Sequence, residues 1–152
     1  MHVREIMTTD IGTCNSDTNL EAVAQLMWDK DCGSVPVLDD SRTPIGIITD
    51  RDIAMGCAIN HKALWEMTTR EVLNNRTVYT CSAEEDIKTA LKTMSKHHIR
   101  RLPVVDNEGH IEGMLSIDDV IACTPKSAAS GKSQGISVDD TLSTLKKVSK
   151  HH

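Results

Sequence analysis

Gly46-Ile47-Ile48-Thr49-Asp50-Arg51-Asp52 precedes Gly113-Met114-Leu115-Ser116-Ile117-Asp118-Asp119 by 67 positions in this chain of 152 residues. The same step carries Thr13-Cys14 onto Thr80-Cys81, Met27 onto Met94, Pro36-Val37 onto Pro103-Val104 and Asp39 onto Asp106, without a gap. Few residues are identical, but apolar character is kept at Leu20/Ile87, Val23/Ala90, Val35/Leu102, Leu38/Val105 and Ile53/Val120. A fixed step that preserves the hydrophobic pattern marks a duplicated structural unit.

Each copy predicts the same succession of elements. Thr18-x-x-Glu21 and Ser82-x-x-Glu85 have the spacing of capping boxes, in which a hydroxyl and a carboxylate satisfy the first N–H groups of a helix. Behind them Leu20, Val23, Met27 and Ile87, Ala90, Leu91, Met94 form an apolar stripe at three- and four-residue spacing. Val35-Pro36-Val37-Leu38 and Leu102-Pro103-Val104-Val105, each followed by a polar turn and a second apolar run, predict hairpins. Proline donates nothing to a ladder, so Pro36 and Pro103 are expected at a strand edge facing a cleft. A last helix begins at Asp50 or Ile117. The fold class is therefore α/β (α+β): two β-α-β-β-α repeats, each too small to bury a comfortable core alone, packed as a pseudo-twofold pair.

By chain position, residues 1–67 are the first repeat with its lead-in and 68–123 the second. Residues 124–135 form a small-residue linker expected to be flexible, and 136–152 a C-terminal amphipathic helix with Val138, Leu142, Leu145 and Val148 opposite a Lys146, Lys147, Lys150 face. That helix can dock on this chain or on a partner.

Composition bounds the function. There is no Phe, and Trp28, Trp65 and Tyr79 are the only aromatic residues, so the core must be aliphatic and stacking on single-stranded nucleic acid is poorly supplied. The formal net charge is −5, and residues 1–70 hold 6 basic against 11 acidic side chains, whereas a duplex-binding surface needs clustered positive charge. No apolar run reaches the ~18 residues of a membrane span and the N-terminus lacks a signal-peptide stretch, so a cytoplasmic protein that binds neither membrane nor nucleic acid is expected. Cys14, Cys32, Cys57, Cys81 and Cys123 are odd in number and contain no Cys-x-x-Cys, which predicts reduced thiols. No metal is expected. His97-His98 are adjacent and would point about 100° apart on a helix, and no acid or thiol pair stands at ligand spacing.

The repeated Gly-apolar-apolar-Thr/Ser-x-x-Asp pattern, in its order of strand, helix, hairpin and helix, resembles the tandem cystathionine β-synthase (CBS) domain pair, or Bateman module. Val3-Arg4-Glu5-Ile6-Met7-Thr8 resembles the lead-in of such modules. The resemblance covers about residues 3–123 and is to the small stand-alone bacterial kind, such as the hypoxic-response protein. It implies two clefts between paired sheets, adenosine-containing ligands and a disc-shaped homodimer. It also implies ribose and phosphate contacts from Thr49, Asp52, Ser116, Asp119, Arg51, His98, Arg100 and Arg101, and a base pocket from Ile11, Thr13, Val35, Pro36, Val78, Thr80, Leu102 and Pro103.

Elementary chemistry points the same way. A hydroxyl beside the free N–H groups of a first helical turn suits phosphate, and Asp52 or Asp119, three residues on, offers acceptors to a ribose diol. Gly46 and Gly113 would let a ligand approach the backbone. The same spacing is also a plain helix cap, and both roles can coexist. Lys88, Lys92 and Lys96, at four-residue spacing, predict a solvated helix face. Two function classes follow. One is a non-catalytic regulatory module that binds AMP, ADP, ATP or NAD(H), shifts the angle between its halves and acts on an unidentified regulated protein. The other is a dimeric interaction scaffold with degenerate sites. No nucleophile with a neighbouring base and no Walker loop supports an enzyme.

Overall fold

The structure is a computed structural model that describes residues 1–73, 76–124 and 135–149. The chain divides into two compact units: residues 10–78 with 109–111, built on the first repeat, and residues 1–9, 79–108 and 112 onward, built on the second.

In the first-repeat unit, β1 (Cys14–Asn15) leads to helix α1 (Leu20–Asp29), the hairpin β2 (Ser34–Leu38) and β3 (Pro44–Thr49), and helix α2 (Asp50–Asn60). A 3-10 turn, Leu64–Glu66, and the short helix α3 (Thr69–Val72) follow. The sheet order is β1-β2-β3, with β1 parallel to β2 and β2 antiparallel to β3. Leu20, Val23 and Met27 from α1, Val35 and Val37 from β2, Ile48 from β3 and Ile53 from α2 form the buried core. Strand alternation turns Val35 and Val37 to the same face.

The second-repeat unit repeats this order with β4 (Cys81–Ser82), α4 (Ile87–His97), β5 (Arg101–Val105), β6 (Ile111–Ser116) and α5 (Ile117–Cys123), its sheet running β4-β5-β6. Helix α6 (Val138–Val148) completes the unit by packing on α4 and α5. Ile87, Ala90, Leu91, Met94, Leu102, Val104, Leu115, Ile117 and Val120 are the core, joined by Ile136 and Val148 from the C-terminal segment.

Three expectations are corrected. The caps of α1 and α4 are Asn19 and Asp86, not Thr18 and Ser82: each side chain accepts from the N–H two residues on, Glu21 or Lys88. Thr18 instead holds the preceding turn, its Oγ1 accepting from Asn15 N at 3.1 Å. Secondly, Pro36 lies in the central strand, opposite Ile47. It is tolerated because β1 is only two residues long and meets β2 at Val37 and Leu38, leaving the strand without a ladder partner beside the proline ring. Thirdly, the buried face of α6 is not the expected stripe: the helix takes the first of its two open alternatives, docking on its own chain, through Thr141, Thr144 and Val148, while Leu142 is exposed. Thr141 Oγ1 and Thr124 Oγ1 lie 3.0 Å apart and Ser95 Oγ donates to Thr144 Oγ1 at 3.2 Å, so hydroxyls replace part of the expected apolar stripe. The expected linker and Lys150 fall almost wholly outside the described residues.

The lead-in packs in the second-repeat unit. Val3 is fully buried, its N–H donates to Glu85 O at 2.9 Å, and Thr8 and Met114 exchange both backbone hydrogen bonds at 2.9 Å. Residues 67–70 serve the first-repeat unit in the same manner: Leu20 N donates to Met67 O at 3.0 Å and Thr69 N to Thr18 O at 2.9 Å. Among the described residues no helix is long and apolar enough to cross a membrane.

Candidate functional site

At the β3–α2 junction, Thr49 is the N-cap of α2 with extended backbone. Its N–H and its hydroxyl both donate to Asp52 Oδ2 at 2.9 Å, and Asp52 N donates back to Thr49 Oγ1 at 3.1 Å. This is a full capping box, with the acid at the third helical position. Asp52 Oδ1 accepts no hydrogen bond from the described residues. The amides of the first turn are taken: Asp50 N donates to Gly33 O at 3.1 Å and Arg51 N to Asp50 Oδ1 at 2.8 Å. The expectation of free N–H donors for phosphate therefore fails at α2. The Arg51 side chain is exposed and forms no ion pair among the described residues.

The β6–α5 junction repeats the box at Ser116, whose N–H and hydroxyl donate to Asp119 Oδ2 at 2.7 and 2.6 Å, while Asp119 N donates to Ser116 Oγ at 3.1 Å. Thr8 Oγ1 makes only a long contact with Asp119 Oδ1, at 3.5 Å. Ile117 N donates to Arg100 O at 2.9 Å, the counterpart of the Asp50–Gly33 bond, but Asp118 N has no acceptor among the described residues. The repeat step places Arg100 where the first repeat has Gly33. Arg100 Nη2 lies 3.9 Å from Asp118 Oδ1, so a half-exposed guanidinium stands at the mouth of α5. The second junction thus holds one free amide that the first lacks, and its cation is Arg100 ahead of the hairpin in place of Arg51 in the first helical turn.

The other predicted residues divide. Pro36 and Pro103 are buried on the strand face opposite the core-facing neighbours; Ile11 and Val78 are half-buried, and Thr13 and Thr80 exposed. Val35 and Leu102 are corrected to core residues: both are fully buried in their units' hydrophobic clusters and present nothing to a ligand. His98, expected on phosphate, is the left-handed C-cap of α4 (φ 54°), and its Nδ1 lies 3.1 Å from Lys147 O, which ties the ring to α6. His97 turns elsewhere and stacks on Tyr79, with ring centroids 3.6 Å apart. Arg101 is half-buried in β5. The glycines are occupied by the chain itself. A Cβ on Gly113 would stand 2.6 Å from Thr8 O, and one on Gly46 2.6 Å from Leu73 Cδ1. Close approach is needed, but by the lead-in and by the segment after α3.

Composition and spacing gave no hint of the role of Thr8, which requires a pairing across more than a hundred residues, or of the free Asp118 amide. The buried thiols are inert groups of the core: burial pushes Cys14 up to about 11 against a weaker opposing bond from Thr69, and pushes Cys81 up to about 12 with help from Glu85.

Two sheets of one topology, each feeding a helix capped by a hydroxyl and a carboxylate, define a paired-repeat module. The chain belongs to the CBS domain family, whose pattern matches residues 3–57 and 69–125. It is similar to the CBS domain pair of protein MJ0100 in complex with 5′-methylthioadenosine and S-adenosyl-L-methionine, at 27% identity and TM-score 0.70, covering 80% of this chain and 94% of that one. It is similar also to Hypoxic Response Protein I with two coordinated zinc ions, at 26% identity and TM-score 0.72, covering 82% of this chain and 100% of that one. A homoserine O-acetyltransferase of Methanohalophilus mahii is 32% identical over 124 residues, which are 82% of this chain and 24% of the enzyme. The chain spans about a quarter of that relative's length.

Proposed function

We propose that the chain is a non-catalytic regulatory module that binds an adenine nucleotide (AMP, ADP, ATP or NAD(H)) at its helix caps and works as a homodimer on a regulated protein. The observation that carries this is the division of labour within each carboxylate. Oδ2 of Asp52 and of Asp119 closes the capping box; Oδ1 of Asp52 accepts nothing from the described residues, and Oδ1 of Asp119 accepts only the long 3.5 Å bond from Thr8 Oγ1, which a ligand donor would replace. Capping and ribose recognition therefore do not compete. A ribose diol donates to Oδ1, and phosphate meets Arg100 and the Asp118 amide at α5, where a guanidinium suits an oxyanion. The adenosyl ligands of the MJ0100 pair support this ligand class. Binding shifts a partner only if the ligand prefers one conformation of the chain over another.

Titration calorimetry with a panel of adenosine compounds tests the reading. Saturable heat with at least one of them is expected, and no heat with any at millimolar concentration overturns it.

A second reading, an interaction scaffold with degenerate sites, draws on Trp28 and Trp65, which are 83% and 67% exposed in the first-repeat unit. Its mark is a partner retained equally by the wild type and by the Asp52→Ala/Asp119→Ala protein.

A further inference from the structure

Helix α4 carries Lys88, Lys92 and Lys96 one turn apart, and α6 carries Asp140, Ser143, Thr144 and Lys147 at three- and four-residue spacing. Such spacings put each set on one helix face. The two faces line a common groove of about 270 Å³, together with Leu91 and Ser95. Its floor is fixed by the Ser95–Thr144 hydroxyl bond, and its end by the contact of His98 with Lys147 O. Ser95 beside Thr144 and His98 beside Lys147 mean that the helices run in the same direction. Lys96 and Lys147 therefore share one end, while Asp140 stands level with Leu91, between Lys88 and Lys92.

We propose that this groove is an anion site for a chain of phosphates. Four lysines line it from two helices, and none forms an ion pair with a carboxylate among the described residues. Lysines near a helix C-terminus also suit the helix dipole, but that effect does not require two helices to line one hollow with theirs. The rungs on α4 are about 6 Å apart along the axis, so orthophosphate meets one rung and a linear oligophosphate meets two or more. The exposed hydroxyl of Ser143 adds a neutral donor. Asp140, level with Leu91, repels the chain from the part of the groove between Lys88 and Lys92, so the occupant lies chiefly on Lys96 and Lys147. The groove is separate from both helix caps and does not depend on the nucleotide reading.

The test is a backbone-amide NMR titration of the full chain with inorganic triphosphate at low salt, with orthophosphate as control. Triphosphate is expected to shift amides of α4 and α6 and to bind more tightly than orthophosphate. Lys96→Gln/Lys147→Gln should weaken it by roughly tenfold, the sum of two partly exposed charge contacts, Lys88→Gln by less, and Asp140→Asn should tighten it. Unchanged melting temperatures show that these variants are folded. No shift at millimolar triphosphate, wild-type affinity in the double variant, or equal affinity for orthophosphate overturns the proposal. ATP forms a second arm: shifts in α4 and α6 matching those of triphosphate assign the groove to nucleotide tails as well, and ATP shifts confined to the caps assign it to free oligophosphate.

Discussion

Asp52 and Asp119 are the same residue in two copies of one motif, and their surroundings separate them. Each closes a capping box, so replacement by Ala costs a comparable ~1 kcal/mol of stability in either repeat. Ligand affinity should divide them. Arg100 and the free Asp118 amide stand beside Asp119, whereas the matching positions near Asp52 hold Gly33 and an Arg51 amide already bonded to Asp50 Oδ1, with the exposed Arg51 side chain as the cation. Asp119→Ala should weaken a ribose-bearing nucleotide about tenfold or more, the worth of a charged hydrogen bond, and Asp52→Ala should weaken it less. Calorimetry on the two folded variants checks the order, and an equal or reversed loss refutes it. The buried thiols give a second residue-scale result. In the unfolded chain a thiol loses its proton near 9.0, while burial holds the folded Cys14 and Cys81 protonated up to about 11 and about 12. The folded state therefore retains more protons in that window. The stabilisation these thiols give is complete below the unfolded value and is lost as pH rises through the folded ones, by at most ~1.4 kcal/mol per pH unit for each. Urea midpoints should fall between about pH 9 and about pH 11, and fall less in Cys14→Ala/Cys81→Ala; an identical slope in that variant would refute the assignment.

Among the elements, the glycines discriminate between two ways of completing a unit. Gly113 faces backbone: its added methyl would meet Thr8 O at 2.6 Å, where Thr8 and Met114 exchange hydrogen bonds. Gly46 faces the movable side chain of Leu73. Gly113→Ala should therefore cost more stability than Gly46→Ala, by about 1 kcal/mol or more, in keeping with overpacking against a rigid neighbour. It should also raise hydrogen exchange at the Thr8 and Met114 amides. Equal costs would mean that the lead-in yields as easily as a leucine rotamer. The order of the elements was legible because Leu20, Val23, Met27 and their counterparts keep a helical period, and the β-branched runs a short one. The first caps were misplaced, by one position at Thr18 and by four at Ser82, because Asn19 and Asp86 reach the second amide of the helix directly, while Thr18 serves the turn before it. Pro36 was misread because a two-residue β1 leaves a central strand locally open. The destination of the lead-in was illegible for a different reason: Val3 meets Glu85 and Thr8 meets Met114, pairings that no local period records. At the candidate sites, the Thr/Ser-x-x-Asp spacing revealed the caps but not which carboxylate oxygen they consume. Val35 and Leu102 read as pocket walls because an apolar strand residue does not declare its face until the core is known.

For the whole molecule, the distribution of large apolar side chains matters more than their number. The core is aliphatic, and both tryptophans lie outside it. Trp28 is 83% exposed, and Ile59 and Trp65 are 71% and 67% exposed, all in the first-repeat unit; among its described large hydrophobics the second-repeat unit exposes only Ile121 and Leu142, at 42% and 48%. Trp28 also borders a hollow of about 670 Å³ with Met27, Ile53 and Leu64. Tryptophan left in water forgoes the burial that would stabilise it most, and aromatic residues on an apolar face anchor protein contacts. Isolated units would gain nothing from that exposure, whereas the proposed homodimer would cover it. Native mass spectrometry should find a species of twice 16.7 kDa. Trp28→Glu/Ile59→Glu, which places carboxylates where the contact would desolvate them, should return the chain to 16.7 kDa without unfolding it. A wild-type chain that remains monomeric at micromolar concentration would remove the homodimer, while a dimer that survives both glutamates would move its interface away from these two side chains.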